Sequence, residues 1–160
     1  MHVKFSIIIP NFNSPFISRA IKSVIEQTYQ NWEIIIVDNN SNNFPQKTIQ
    51  KFNDKRIYFY KINNNNIIAK SRNFGIKKAN NEWIAFLDSD DTWEKNKLEV
   101  TKNIITKNDT DLIFHGMYYL PKKFGCLKKI ILDKSNPIKE PIFSTLIKDG
   151  NKIANSSVVV

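Results

Sequence analysis

The chain has 160 residues, 41% of them hydrophobic and 24% charged, and a net charge of +9. That length fits one domain with a real core, and no apolar run nears the ~20 residues that span a bilayer. The basic charge brings no long Arg stripe and no recognisable nucleic-acid module, so nucleic acid is not an expected partner.

The elements alternate in chain order. Residues 5–10 form a continuous apolar run, as in a strand buried on both faces. Ser14 and Pro15 then read as an N-cap and a first helical position. Ile17, Ala20, Ile21, Val24 and Ile25 follow at helical spacing. Residues 33–37 are a second buried strand. The polar segment 38–43 leads to a short helix over 45–52. Residues 56–62 are a third strand, rich in aromatic and β-branched side chains. A helix is expected over 67–79, a fourth strand over 82–87, a helix over 94–105 and a fifth strand over 112–119. Beyond Leu120 the pattern weakens to a strand over 125–132 and a short helix over 141–147. Residues 155–160 read as the start of a strand at which the chain stops, which suggests truncation. Val158, Val159 and Val160 are then expected to leave an unpaired strand or to drive self-association.

This order implies an α/β fold with a mostly parallel central sheet and helices on both faces. Ligands of such sheets bind at the carboxyl ends of the strands. The ends here are Pro10-Asn11-Phe12-Asn13, Asp38-Asn39-Asn40-Ser41 and Asp88-Ser89-Asp90-Asp91. The last is the most pointed. Carboxylates at the mouth of a buried strand are costly unless something cationic meets them. A hard divalent metal carrying a diphosphate fits, since oxygen-bound Mg²⁺ is held by one or two carboxylates plus phosphates. Asp91 with Glu94 also reads as a capping box for the next helix, which leaves Asp88 and Asp90 as candidate metal ligands.

The first strand is not followed by Gly-x-Gly-x-x-Gly, which disfavours a dinucleotide-binding Rossmann domain, and no P-loop is present. Phosphates must be handled by metal and cationic side chains. The segments Ser6-Ile7-Ile8-Ile9-Pro10-Asn11-Phe12-Asn13, Ser23-Val24-Ile25-Glu26-Gln27-Thr28-Tyr29, Glu33-Ile34-Ile35-Ile36-Val37-Asp38, Ser71-Arg72-Asn73 and Phe86-Leu87-Asp88-Ser89-Asp90-Asp91 keep one order and spacing from residue 4 to 120. In this the chain resembles the family-2 inverting glycosyltransferases of GT-A (Rossmann-like) fold.

The resemblance implies roles. Pro10, Asn11, Phe12 and Asn13 would line a nucleoside pocket. Asp38 would accept a hydrogen bond from the base, commonly uracil. Arg72 would lie near base or diphosphate, and Asp88 or Ser89 would face the ribose. Asp90, with Asp88, would hold Mg²⁺ or Mn²⁺ bridging the diphosphate. From the residues alone, Asp38 also reads as an Asx turn, Arg72 as a surface helix residue and Asn13 as a turn former. Trp83, Trp93 and His115 read as packing residues.

Departures from the family pattern carry meaning. Phe12 stands where members often have Tyr. Asn40 replaces a glycine at a position suited to positive φ, which Asn tolerates better than most residues. An inverting transfer needs a base for the acceptor hydroxyl. Asp133 and Asp149 lack the expected context, so no catalytic base is assigned.

The expected organisation is a nucleotide-sugar-binding subdomain over 1–120 and an incomplete start of the acceptor-side region over 121–160. The implied activity is metal-assisted, inverting sugar transfer from a nucleoside-diphosphate sugar, a UDP-sugar by family habit. The acceptor would be a hydroxyl of a glycan or lipid-linked molecule in bacterial surface polysaccharide synthesis. The alternative is a truncated, inactive nucleotide-sugar-binding module. The N-terminal apolar stretch is too short for a secretory signal, and the lone Cys126 supports no disulfide framework. A cytoplasmic location follows. Lys122, Lys123, Lys128 and Lys129 allow weak association with the inner face of the membrane, or simply form a solvated face.

Overall fold

A computed structural model describes residues 2–42, 46–108, 110–119, 130–131 and 153–160. The strands are β1 (Phe5–Asn11), β2 (Trp32–Asn39), β3 (Ile57–Ile62) and β4 (Trp83–Phe86), and they form a sheet in the order β3-β2-β1-β4. Every pairing among them is parallel. β1 and β2 are buried along their whole length, which is why both read as unbroken apolar runs.

Strand alternation divides the core. Ile7, Ile9, Ile34 and Ile36 join one apolar cluster with Ile17, Ala20, Ile21 and Val24 of α1 (Ile17–Ile25) and with Leu98 and Ile105 of α4 (Lys97–Lys107). Ile49 of α2 (Gln46–Gln50) completes it. On the opposite face α3 (Ile68–Lys78) lies over β1 and β2. There Gly75 lets the helix approach so closely that a Cβ would fall 2.5 Å from Ile8 Cγ2.

A buried polar knot closes the far edge of the sheet. Glu33 accepts hydrogen bonds from Ser6 Oγ (2.6 Å), Asn80 N (2.8 Å) and Asn80 Nδ2 (2.9 Å). It fixes the turn from α3 into β4.

Several local expectations give way. α1 begins at Ile17 with no side-chain cap. Ser14 Oγ instead accepts from Phe16 N (3.2 Å) and donates to the carbonyl of Ser89 (3.3 Å), tying the loop after β1 to the loop after β4. α4 starts at Lys97, beyond the Asp91–Glu94 pair, so no capping box forms there. The buried Gln27 takes the role: its Oε1 accepts from Leu98 N (2.9 Å) and its Nε2 donates to Glu94 O (2.8 Å).

The fifth strand is reduced to an isolated bridge at Ile113 and a two-residue β5 (Tyr118–Tyr119), antiparallel to β6 (Ile130–Ile131). The reason is the occupant of the β4 edge. After a short 3₁₀ turn (Asn155–Ser157), Val159 bridges antiparallel to Ala85 on one side and to Ile113 on the other. The terminal valines are therefore paired, contrary to expectation. Val160 exchanges backbone hydrogen bonds with Ile84 (2.6 and 2.9 Å), and Phe86 N donates to Val158 O (3.2 Å). The expected helix over 141–147, the lysines between 122 and 129, and Asp133 and Asp149 lie outside the described residues. Among the described residues no helix is long and apolar enough to cross a membrane.

Candidate functional site

A cleft of about 310 Å³ opens at the carboxyl edge of the sheet, lined by Pro10, Asn11, Phe12, Asn39, Asn66, Ile68, Ser71, Asp88, Ser89 and Asp90. Its place follows from topology, because the loops after β1, β2 and β4 leave the same edge. Six of the residues expected from the sequence line it: Pro10, Asn11, Phe12, Asp88, Ser89 and Asp90. Asn13, Asp38 and Arg72 stand behind its walls.

Asp38 is fully buried. Its carboxylate accepts from Asn11 Nδ2 (2.7 Å), Ser41 N (3.0 Å) and Ser41 Oγ (2.5 Å). These donors turn it into an internal strut rather than a wall residue. Asn11 Nδ2 is held toward an acceptor-only group, so the amide oxygen turns the other way. That Oδ1 is buried and makes no hydrogen bond among the described residues. Asn13 is also structural: it adopts φ 50°, its N–H donates to Ser41 Oγ (2.8 Å), and its Oδ1 accepts from Asn42 N (3.0 Å). Asn40, at the position where glycine was expected, sits at φ 54°.

The acidic run differentiates in the same way. Arg72 Nη2 pairs with Asp88 Oδ1 at 2.6 Å, with both side chains largely covered. Asp91 accepts from Ser156 Oγ (2.6 Å). Burial raises the Asp91 pKa above the usual carboxylate range, the charges of Asp90 and Asp88 add to the rise, and the Ser156 hydrogen bond opposes it. Asp90 is exposed, and its side chain makes no hydrogen bond or ion pair among the described residues. It is the carboxylate of the run that no protein group neutralises among the described residues.

Asn39 and Ser71 fall in segments the sequence brought to this edge but carried no assigned role, and Asn66 and Ile68 were not among the candidates. Strand alternation was the usable signal for Asn39: with Ile35 and Val37 it faces α3, whereas Asp38 faces the other side. Asn39 Oδ1 accepts from Asn64 N (3.1 Å) and its Nδ2 donates to Asn66 Oδ1 (3.2 Å). Asn64 in turn binds Ser71 Oγ (2.9 Å) and Ile67 N (3.1 Å), fastening the start of α3. Trp93 is packed in the core, as expected. His115 is partly buried, its Nδ1 lying 2.7 Å from Gly116 O.

Comparison with known proteins agrees with this geometry. Residues 6–149 match the family described as Glycosyl transferase family 2. An Escherichia coli protein named UDP-Glc:alpha-D-GlcNAc-diphosphoundecaprenol beta-1,3-glucosyltransferase WfgD is 31% identical, over 91% of this chain and 70% of its own length. The Bacillus subtilis putative teichuronic acid biosynthesis glycosyltransferase TuaG is 32% identical over 79% of this chain. The chain spans only 51% of that relative. The crystal structure of S. aureus TarS 1-349 in complex with UDP-GlcNAc superposes with TM-score 0.71 at 26% identity, covering 76% of this chain and 36% of that one. A match over most of its length, together with the parallel sheet and the cleft at its carboxyl edge, makes this chain a member of glycosyltransferase family 2.

Proposed function

We propose that the cleft binds a nucleoside-diphosphate sugar, a UDP-sugar, and that the chain serves the donor side of an inverting sugar transfer. The acceptor is a hydroxyl of a glycan or lipid-linked molecule, and the setting is bacterial surface polysaccharide synthesis. The observation that carries the reading is one cleft with Pro10, Asn11, Phe12 and Asn39 on one side and Asp88, Ser89 and Asp90 on the other. The relatives support the details: one is named for a UDP-glucose donor and a diphosphoundecaprenol-linked acceptor, and TarS is described with UDP-GlcNAc. Residues 1–120 form the nucleotide-sugar-binding unit in this reading, and 121–160 belong to the acceptor side. Catalysis takes place in the cytoplasm, with peripheral contact at the inner membrane face.

The base lies against Phe12, whose ring is half exposed (50%), and its polar edge meets Asn11 and Asn39. Asp38 contributes by holding Asn11. The donor set also fits a divalent metal. Among the described residues no group of three or more His, Cys, Asp or Glu encloses one. A single free carboxylate, Asp90, beside the Arg72-bound Asp88 suits Mg²⁺ or Mn²⁺ completed by diphosphate oxygens. When bound, such an ion stabilises the negative charge that develops on the departing nucleoside diphosphate. Arg72 holds Asp88 in register, and the Ser14–Ser89 bond keeps the two walls together.

Titrating UDP, GDP and CDP by calorimetry, with and without Mn²⁺, tests the reading. UDP binding that strengthens with Mn²⁺ and loses that gain in Asp90→Ala is expected; metal-independent binding unchanged by the substitution would count against the metal assignment. Acceptor-dependent UDP release is the second assay. Release by this chain alone would exclude the alternative, a nucleotide-sugar-binding module without turnover, and would make Asp133 and Asp149 the first base candidates.

A further inference from the structure

We infer that Ser156 is a positioning residue for the acidic run, and that the segment carrying it is a clasp on the donor site. The inference rests on the donor-binding reading above and adds a residue far from it in sequence. Ser156 is buried, 3% exposed, and meets the run twice with one hydroxyl. Its Oγ accepts from the backbone N–H of Asp88 (3.0 Å) and donates to Asp91 Oδ2 (2.6 Å). The first bond fixes the backbone where β4 ends; the second holds the far end of the run. Asp90 lies between these two anchors, and its conformation is set by them.

The carbonyl of Ser156 is equally committed. It accepts from Trp93 Nε1 (2.8 Å) and from Lys97 Nζ (3.0 Å). Lys97 is buried, with its ammonium 3.9 Å from the Trp93 ring centroid. Both oxygens of Ser156 therefore end on residues 88–97. The segment is anchored independently by Val158, Val159 and Val160 on β4 and by Val159 on Ile113. Ser157 provides a contrast within the same turn: among the described residues its Oγ bonds only the nearby carbonyl of Ala154 (2.6 Å). A support of this kind orients a carboxylate ligand without touching the metal, and loss of such outer partners typically costs about 10–100-fold in metal affinity.

The test compares Ser156→Ala with Ser157→Ala in the full chain. UDP affinity is read with and without Mn²⁺, and amide hydrogen exchange is read at Asp88. Ser156→Ala is expected to lose on the order of tenfold of the Mn²⁺-dependent affinity while metal-free UDP affinity stays unchanged. Asp88 exchange should quicken by about fivefold or more as its acceptor disappears, while Ile8 and Ile35 in the core keep their protection. Ser157→Ala should alter neither readout. If Ser156→Ala lowers both affinities equally along with the unfolding midpoint, Ser156 is merely structural and the inference is overturned. Unchanged Asp88 protection also overturns it. Should the parent chain bind no nucleotide at all, the donor-site reading fails, and the exchange measurement alone decides whether the clasp exists.

Discussion

Replacing Asp38 separates two roles that a strand-end carboxylate can have. If it reads the base directly, Asp38→Ala weakens UDP binding and leaves the fold alone. If it is the strut the geometry describes, the first loss is stability. Its three hydrogen bonds are each of the charge-assisted kind, worth about 1.5–3 kcal/mol. The sum overstates the cost. Asn11 Nδ2 and Ser41 Oγ already lie 3.3 Å apart and can re-pair, and a buried carboxylate's own desolvation is relieved. What remains is the orphaned Ser41 N–H and a small void at a fully buried site. We expect a net loss of about 2–4 kcal/mol.

Urea denaturation of Asp38→Ala measures that loss, and calorimetry with UDP measures the other role. Asp38→Asn sharpens the comparison. Its amide keeps an acceptor for Ser41 N, and its new NH₂ group favours rotation of the Asn11 amide, bringing a donor to where Oδ1 was. Fold stability should then drop by only about 1 kcal/mol, while preference for UDP over CDP weakens, because the ring N3 is a donor in uracil and an acceptor in cytosine. Asp38→Ala with unaltered stability and selectively lost UDP affinity would refute the strut and restore direct contact.

Three further outcomes follow from the same contacts. Gly75→Ala drives a methyl to 2.5 Å from Ile8 Cγ2 in the central strand, so it should destabilise by about 1–3 kcal/mol, against the opposite gain expected at an unconstrained helical glycine; urea midpoints decide. The partly buried His115 is held to a pKa of about 4 by desolvation and then by Lys97, so the folded state resists its protonation. Its stability contribution is full above the unfolded value of ~6.5 and lost as pH falls toward 4; that loss should flatten in His115→Gln, read by thermal midpoints across this window. Arg72→Lys keeps the charge but not the planar fork, and should lower Mn²⁺-dependent UDP affinity by roughly tenfold.

The parallel core was readable because β1 and β2 are buried on both faces and carry uninterrupted apolar runs. α1 was readable from the spacing of Ile17, Ala20, Ile21 and Val24, although its start was not. Ser14 looks like a cap in sequence, but its hydroxyl is held by Ser89, far along the chain. The fifth strand failed for a related reason. Residues 112–119 have strand composition, yet the edge they would occupy on β4 is taken by Val158, Val159 and Val160. Composition reports a tendency to pair and says nothing of which segment reaches the edge first. The asparagines of 63–66 look in sequence like an undistinguished polar run; in the fold Asn65 and Asn66 occupy positive φ, at 57° and 62°, and Asn64 and Asn66 bind Asn39.

The candidate site shows the same division more sharply. Acidic side chains at strand ends are visible in sequence, but their chemistry depends on what neutralises each one. Asp38 is satisfied by Asn11 and Ser41, Asp88 by Arg72, and Asp91 by Ser156. These partners come from a neighbouring strand, a helix on one face of the sheet and a segment at the end of the chain. Subtracting them leaves Asp90 exposed on the cleft and without a side-chain bond among the described residues. A run of acids that looks like a cluster of equivalent ligands is thus one free carboxylate held in place by bound ones. The free carboxylate has the chemistry to meet a cation and a diphosphate, and its neighbours have the chemistry to keep it at the strand mouth. On this argument an uncharged substitution at Asp90 is expected to lower Mn²⁺-dependent UDP affinity in calorimetry with little shift of the urea midpoint, whereas the same change at Asp38 is expected to lower the midpoint first.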